Sequence, residues 1–145
     1  MTDDGDPRAD LRRRLAEVPD RLADASRRAT GPVPDGEWSP SEVVRHLIAV
    51  EDEVWHGRLR QMAAEDIPHW PWTEPDRWLG EPDASLDDLL AVFADRRGAT
   101  VALLDALDDA GWRRTGEHAT YGTLDVAALM VRAIDHDEEH LASFG

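Results

Sequence analysis

The sequence predicts an all-α protein, a four-helix bundle with a long aromatic loop between its second and third helices. Three observations carry this. Four segments repeat apolar residues at steps of three and four, which gathers them on one helical face at about 100° per residue. No run alternates apolar and polar residues convincingly enough to read as a strand. Between the second and third segments, Glu65 to Ala84 carries four prolines, one glycine and three tryptophans. A connection of that length is functional or disordered, and its aromatic content argues for order. The 145 residues suit a single domain, 1–145, with residues 1–6 as a flexible lead.

The first helix runs from about Pro7 to Arg28. Leu11, Leu15, Val18, Leu22 and Ala25 form its apolar face, and Pro7 suits a first helical position. Pro19 has no N–H to give and crowds the preceding turn, so the sequence predicts a kink there or a later start. Thr30 to Gly36 is rich in proline and glycine and breaks the chain. The second helix has the clearest start: Ser39 as cap, Pro40 at the first position and Glu42 at the third, with Trp38 placed to staple onto Val43. Its face reads Val43, Leu47, Val50 and Val54, and it continues to about Ala64.

Ser85 caps the third helix, followed by Asp87 and Asp88 in its first turn. Leu86, Leu89, Leu90, Phe93, Val101, Leu104 and Leu107 carry its stripe up to a glycine stop near Gly111. Gly98 weakens the middle and could admit a neighbouring helix. Trp112 to Gly122 reads as a loop. A cap within Thr123 to Val126 then opens the fourth helix, whose core face includes Ala127, Ala128, Val131, Ile134 and Leu141.

Composition excludes several functions. The formal net charge is −15, which repels phosphate backbones and anionic lipid, so neither nucleic acid nor a membrane is an expected partner. There is no cysteine, hence no disulfide, no thiolate ligand and no cysteine nucleophile. No apolar run is long enough to span a bilayer, and the acidic start lacks the apolar core of a signal peptide. A cytoplasmic protein is expected.

The chemistry-bearing stretch is His136 to His140, two histidines four residues apart and therefore one turn apart on one helical face. Such a pair can grip one transition metal ion, and His46, beside the second helix's apolar stripe, is the candidate third ligand. The bland alternative is a pair of surface histidines among acids. A bundle can build such a site from side chains on facing helices. The spacing also resembles a zinc-protease helix motif. However, Asp137 stands where that motif has glutamate, and too little chain follows for its third ligand.

Trp38-Ser39-Pro40-Ser41-Glu42-Val43-Val44-Arg45-His46-Leu47, followed by Glu51, resembles the second-helix signature of the DinB-like superfamily. Gly122-Thr123-Leu124, then His136-Asp137-Glu138-Glu139-His140-Leu141, resembles its fourth-helix signature. The likeness covers most of the chain. It implies a four-helix bundle, often a homodimer, with a divalent metal such as zinc or nickel held by His46, His136 and His140. It further implies kinship with enzymes that transfer low-molecular-weight thiols of the mycothiol or bacillithiol type to small electrophiles. Many members of the superfamily have no assigned activity. A non-catalytic metal-binding or ligand-binding bundle is therefore the alternative, and histidines incidental to a structural role are a third.

Three neutral imidazoles leave positions open on a metal for a thiol, a water or an oxygen. Each ligand needs a partner for its second ring nitrogen, and Glu42, Glu53 and Asp137 are the candidates for that supporting role. No residue is assigned as catalytic acid or base. Trp70 and Trp72 are the candidate pocket-lining residues. His56 should face away from His46 by helical spacing, and His69 and His118 fall in loops where exposure is the simpler expectation.

Overall fold

A computed structural model describes residues 6–144. The N-terminal lead before Asp6 lies outside the described residues. Helix α1 spans Pro7–Arg28, capped by the Asp6 side chain, which accepts from the Arg8 backbone N–H at 3.0 Å. Pro19 neither delays nor ends this helix. Helix α2, Pro40–Val50, carries the predicted capping box: Glu42 N–H donates to Ser39 Oγ, and Ser39 N–H donates to the Glu42 carboxylate. A π-helical segment, Glu51–His56, follows and leads into α3, Gly57–Ala64. The second predicted helix is thus continuous but contains a wide turn. Such segments pair i with i+5 and turn less per residue, so a count at 100° does not hold across them. His56, which helical spacing turns away from His46, is buried, with Nε2 2.9 Å from the Arg96 carbonyl.

Helix α4 covers Leu86–Asp105, with Ser85 and Asp88 forming a second capping box. It stops earlier than expected. Asp108 opens a separate short helix, α5 (Asp109–Trp112), by accepting from Gly111 N–H at 2.7 Å. Gly98 does not mark a close helix approach, because nothing stands within 4 Å of where a Cβ would sit. Helix α6, Val126–Ala142, starts at an Asp125 cap that accepts from Ala128 N–H. Helix α1 packs against α4 and α6, and α2 packs against α4.

The expectation of no strand is corrected. A small sheet closes one side, in the order β1 (His69–Trp70), β2 (Thr115–His118), β3 (Gly122–Asp125). β1 runs parallel to β2, and β2 and β3 form an antiparallel hairpin. Strands of two to four residues are too short to display a period of two. Gly122 supplies the left-handed backbone (φ 77°) that ends the hairpin turn. At Gly116 a side chain would strike the Trp70 ring, its Cβ falling 2.2 Å from the nearest ring carbon. Trp70 is 5% exposed and donates its indole N–H to Gln61. It is a core residue and does not line the cavity described below.

The apolar core is divided in two. One cluster holds Leu11 and Leu15 of α1, Val50 and Val54, Val101 and Leu104 of α4, and Leu129, Met130, Ala133 and Ile134 of α6. The other holds Val18 and Leu22, Val43, Val44, Leu47 and Ile48, and Leu89, Leu90 and Phe93. Between them on every long helix lies one polar layer. Arg97 of α4 is 1% exposed and binds Glu51 Oε1 through Nε (3.1 Å) and Nη2 (2.5 Å). Its Nη2 also donates to Asp137 Oδ1 at 3.0 Å, and Nη1 donates to the Leu15 carbonyl at 3.0 Å. Thr100 Oγ1 completes the layer by donating to Glu51 Oε2 at 2.6 Å.

Pro19 explains why the Leu15 carbonyl is available. Proline has no N–H, so the carbonyl four residues earlier loses its helical donor. The buried guanidinium replaces it. A helix-breaking residue is therefore tolerated in mid-helix because a side chain from another helix satisfies the orphaned acceptor. Burial opposes the Arg97 charge, but Glu51 and then Asp137 outweigh it and hold the group protonated. Among the described residues, no helix is long and apolar enough to cross a membrane.

Candidate metal centre

His46, His136 and His140 are brought together. Ring centroids are 5.3 Å apart for His46 and His136, 4.8 Å for His46 and His140, and 4.6 Å for His136 and His140. Capping of α2 by Ser39 fixes the first turns of the helix that presents His46, and the one-turn spacing on α6 presents the other two. Trp38, just before the Ser39 cap, packs against His46 with ring centroids 5.0 Å apart. Arg77 lies over the same indole and pairs with Glu42.

Glu74, from the long loop, joins them. Its Oε1 lies 2.9 Å from His46 Nε2 and 3.2 Å from His136 Nε2. The first contact is off the line a hydrogen bond requires, and Nε2 of His46 remains buried without a hydrogen-bond partner. Nδ1 of His136 is likewise buried and unpartnered. One possible ligand atom from each of these four residues lies within 4.8 Å of the others.

Buried polar atoms without partners are rare in folded proteins, because each carries an uncompensated desolvation cost of about 1–3 kcal/mol. Two such nitrogens in a nest of imidazoles fit a divalent transition metal ion, whose ligand chemistry is neutral imidazole plus carboxylate. Burial first, then the neighbouring His136 and His46, push the His140 pKa down to about 4. That ring is neutral at physiological pH, as a ligand must be.

The second ring nitrogen of His46 is oriented by the loop: Nδ1 lies 3.3 Å from the Asp76 carbonyl. The expected supporting carboxylates do not serve this way. Glu42 is engaged by Ser39 and Arg77, Asp137 by Arg97, and Glu53 is exposed with no hydrogen bond among the described residues. Asp137 faces the polar layer although it neighbours His136, because adjacent helical residues point about 100° apart. Burial pushes its carboxyl up to about 6 against the pull of Arg97.

A cavity of about 520 Å³ opens beside the histidines. Trp72 lines it as expected, whereas Trp55, from the π-helical segment, lines it unexpectedly, edge-on to His136 with ring centroids 6.4 Å apart. His118 of β2, expected in an exposed loop, is buried and lines the cavity too, while His69 is exposed. Glu74 carries no signal in the sequence. It is one of 31 acids, and no local pattern distinguishes it from the others.

Comparison with known proteins agrees with the fold. A solved structure, described as YfiT from Bacillus subtilis, a probable metal-dependent hydrolase with an unusual four-helix bundle topology, superposes with a TM-score of 0.72 at 23% identity. The match covers 94% of this chain and 83% of that one. No curated protein sequence matches the chain significantly. The family profile described as the DinB superfamily matches residues 6–143. With nearly its whole length matched and its helices in the expected order, the chain belongs to the DinB superfamily.

Proposed function

We propose that this protein is a metal-dependent enzyme acting on small molecules, with His46, His136 and His140 holding a divalent ion, zinc or nickel. The observation that supports it is the convergence of three imidazoles with two buried, unpartnered ring nitrogens at the edge of a cavity. Such an ion, bound with a position open, supplies Lewis acidity and makes a thiol or a water more acidic. The chain's own residues do the rest. The Asp76 carbonyl orients His46, Trp55 and Trp72 line the cavity with apolar surface, and Glu74 stands beside the histidine nitrogens as a base.

The finer reading is transfer of a low-molecular-weight thiol, of the mycothiol or bacillithiol type, to a small electrophile. The family supports it. In this reading the thiol proton passes to the Glu74 carboxylate, sulfur bonds to the electrophilic carbon, and that carbon's bond to its leaving group breaks with the electron pair going to the leaving group. Hydrolysis is the second reading. It is supported by the placement of Glu74 as a base for water and by the likeness to YfiT.

Metal analysis of tag-free protein by mass spectrometry, beside a His136→Ala/His140→Ala double mutant, tests the shared part. Near-stoichiometric zinc or nickel, lost in the mutant, is expected. Failure of both proteins to hold metal after reconstitution would falsify it. The metal-loaded protein should then consume bacillithiol or mycothiol saturably against an electrophile panel. Release of acid from simple esters or amides without thiol would favour hydrolysis instead. Tight metal binding with neither turnover would leave the non-catalytic bundle. We further infer a cytoplasmic homodimer, and light scattering that finds a monomer at micromolar concentration counts against the dimer.

A further inference from the structure

The cavity holds a second cluster that the metal reading does not use. Arg58 and Arg132 both line it, together with His118 and Tyr121. Arg132 stands one turn of α6 before His136, with its guanidinium carbon 4.2 Å from the Tyr121 ring centroid. Tyr121 in turn lies 4.7 Å from the His118 ring. Arg58 is 8% exposed and is stacked over Trp70. Its only hydrogen bond among the described residues runs from Nη2 to the Pro71 carbonyl at 3.1 Å.

These two arginines share one cavity and, among the described residues, have no carboxylate partner. Acids outnumber basic residues 31 to 16, and Arg8, Arg12, Arg21, Arg27, Arg96 and Arg97 all pair with carboxylates. Among the described residues, neither Arg58 nor Arg132 forms an ion pair, although Asp135 and Glu139 line the same cavity. A largely buried arginine without a counter-ion is costly, and burial lowers the Arg58 pKa. An incoming anion supplies the missing charge.

His118 adds a fixed donor. Its Nδ1 accepts from the backbone N–H groups of Thr120 (2.9 Å) and Tyr121 (3.2 Å), which leaves the ring proton on Nε2. Burial, then Arg58 and Arg132, lower its pKa and keep the ring neutral.

We propose that Arg58, Arg132 and His118 Nε2–H form a subsite for the carboxylate of a small substrate whose reacting atom lies near the histidine cluster. The two clusters are about one helical turn apart along α6, roughly 5 Å. That separation suits a molecule of a few carbons, with an apolar body against Trp55 and Trp72. A carboxylate fits better than a phosphate. Asp135 and Glu139 also line the cavity and the whole protein is strongly acidic, so a dianion meets more repulsion than a monoanion. The proposal rests on this cavity being the reaction site.

Metal-free, 15N-labelled protein titrated with sodium benzoate, and followed by NMR of the arginine Nε–H and tryptophan indole signals, tests the subsite. Saturable shifts at Arg58, Arg132 and Trp72 are expected, with benzamide binding at least tenfold more weakly. Arg132 is exposed, so Arg132→Gln should fold normally and weaken benzoate at least tenfold. Arg58→Lys is the second variant and should weaken it several-fold. Equal binding of benzoate and benzamide, or an unchanged affinity in Arg132→Gln, overturns the proposal. Inorganic phosphate binding more tightly than benzoate overturns the choice of a carboxylate. Because the titration uses no metal, its failure leaves the metal-content result standing. Failure of the metal reading likewise leaves the benzoate result standing.

Discussion

Two polar clusters are buried in this bundle, and consecutive residues of α6 belong to one each. Asp137 enters the layer around Arg97, and His136 enters the histidine nest. The Arg97 layer is nearly self-sufficient. The guanidinium reaches Glu51, Asp137 and the Leu15 carbonyl, and Thr100 takes the remaining Glu51 oxygen. Only Asp137 Oδ2 lacks a hydrogen bond, and it still lies 2.9 Å from Arg97 Nη1 as an ion-pair contact. The histidine nest is different, because two of its buried ring nitrogens have no hydrogen-bond partner. A satisfied polar layer holds helices in register, whereas an unsatisfied one marks a place for something the chain does not supply.

The largest expected effect breaks the structural cluster. Arg97→Ala strands two buried carboxylates and should cost about 3–5 kcal/mol in a denaturant titration. Replacing Arg97, Glu51 and Asp137 together by Met, Leu and Leu should recover most of that loss. A variant as stable as the parent after Arg97→Ala alone would show that the layer is not structural.

The functional cluster should respond in the opposite way. His140 is half-buried, so His140→Ala should shift metal-free stability by less than about 1 kcal/mol. Bound metal, measured by mass spectrometry after dialysis, should be lost. Comparable loss of stability in both variants would erase the distinction between the clusters.

A smaller effect sharpens the account of Pro19. Pro19→Ala returns an N–H to the Leu15 carbonyl, so Arg97 has one acceptor fewer to satisfy. In a double-mutant cycle, Arg97→Leu should be milder in the Pro19→Ala background by about 1 kcal/mol. Strict additivity would mean that the guanidinium does not substitute for the missing helical donor.

The smallest expected effect is a pH slope. His118 is held below its ordinary value of 6.5, chiefly by burial. The unfolded chain therefore binds more protons just below that value, and stability rises with pH through the window from its folded pKa to 6.5. Lowering the pH below 6.5 in steps should lower stability progressively. His140, held at about 4, contributes with the same sign, so the readout is the difference between parent and His118→Gln. The variant should lose part of the slope between pH 6.5 and the carboxylate range.

Particular residues show how far local pattern reaches. Ser39 with Glu42 and Ser85 with Asp88 announced two helix starts, because a capping box is closed within four residues. The stripe Leu11, Leu15, Val18 and Leu22 announced a buried face, because helical period alone determines who shares it. His136 and His140 were paired by the same period, and His46 was added by its place on another amphipathic helix and by the family signature.

Tertiary structure decided what local pattern cannot encode. Glu74 became part of the centre because an irregular loop folds back over the bundle, and nothing in its neighbours marks it. His118 lines one cavity with Arg58 and Arg132, on a short strand whose pairing with His69–Trp70 joins segments far apart in the chain. The π-helical turn broke the regular count, burying His56 and placing Trp55 against the cavity. Pro19, a helix breaker on any local reading, was rescued by a guanidinium 78 positions away. The physical division is that caps and faces are settled by bonds within a turn or two. Partners for orphaned buried atoms are settled only by which elements meet in space.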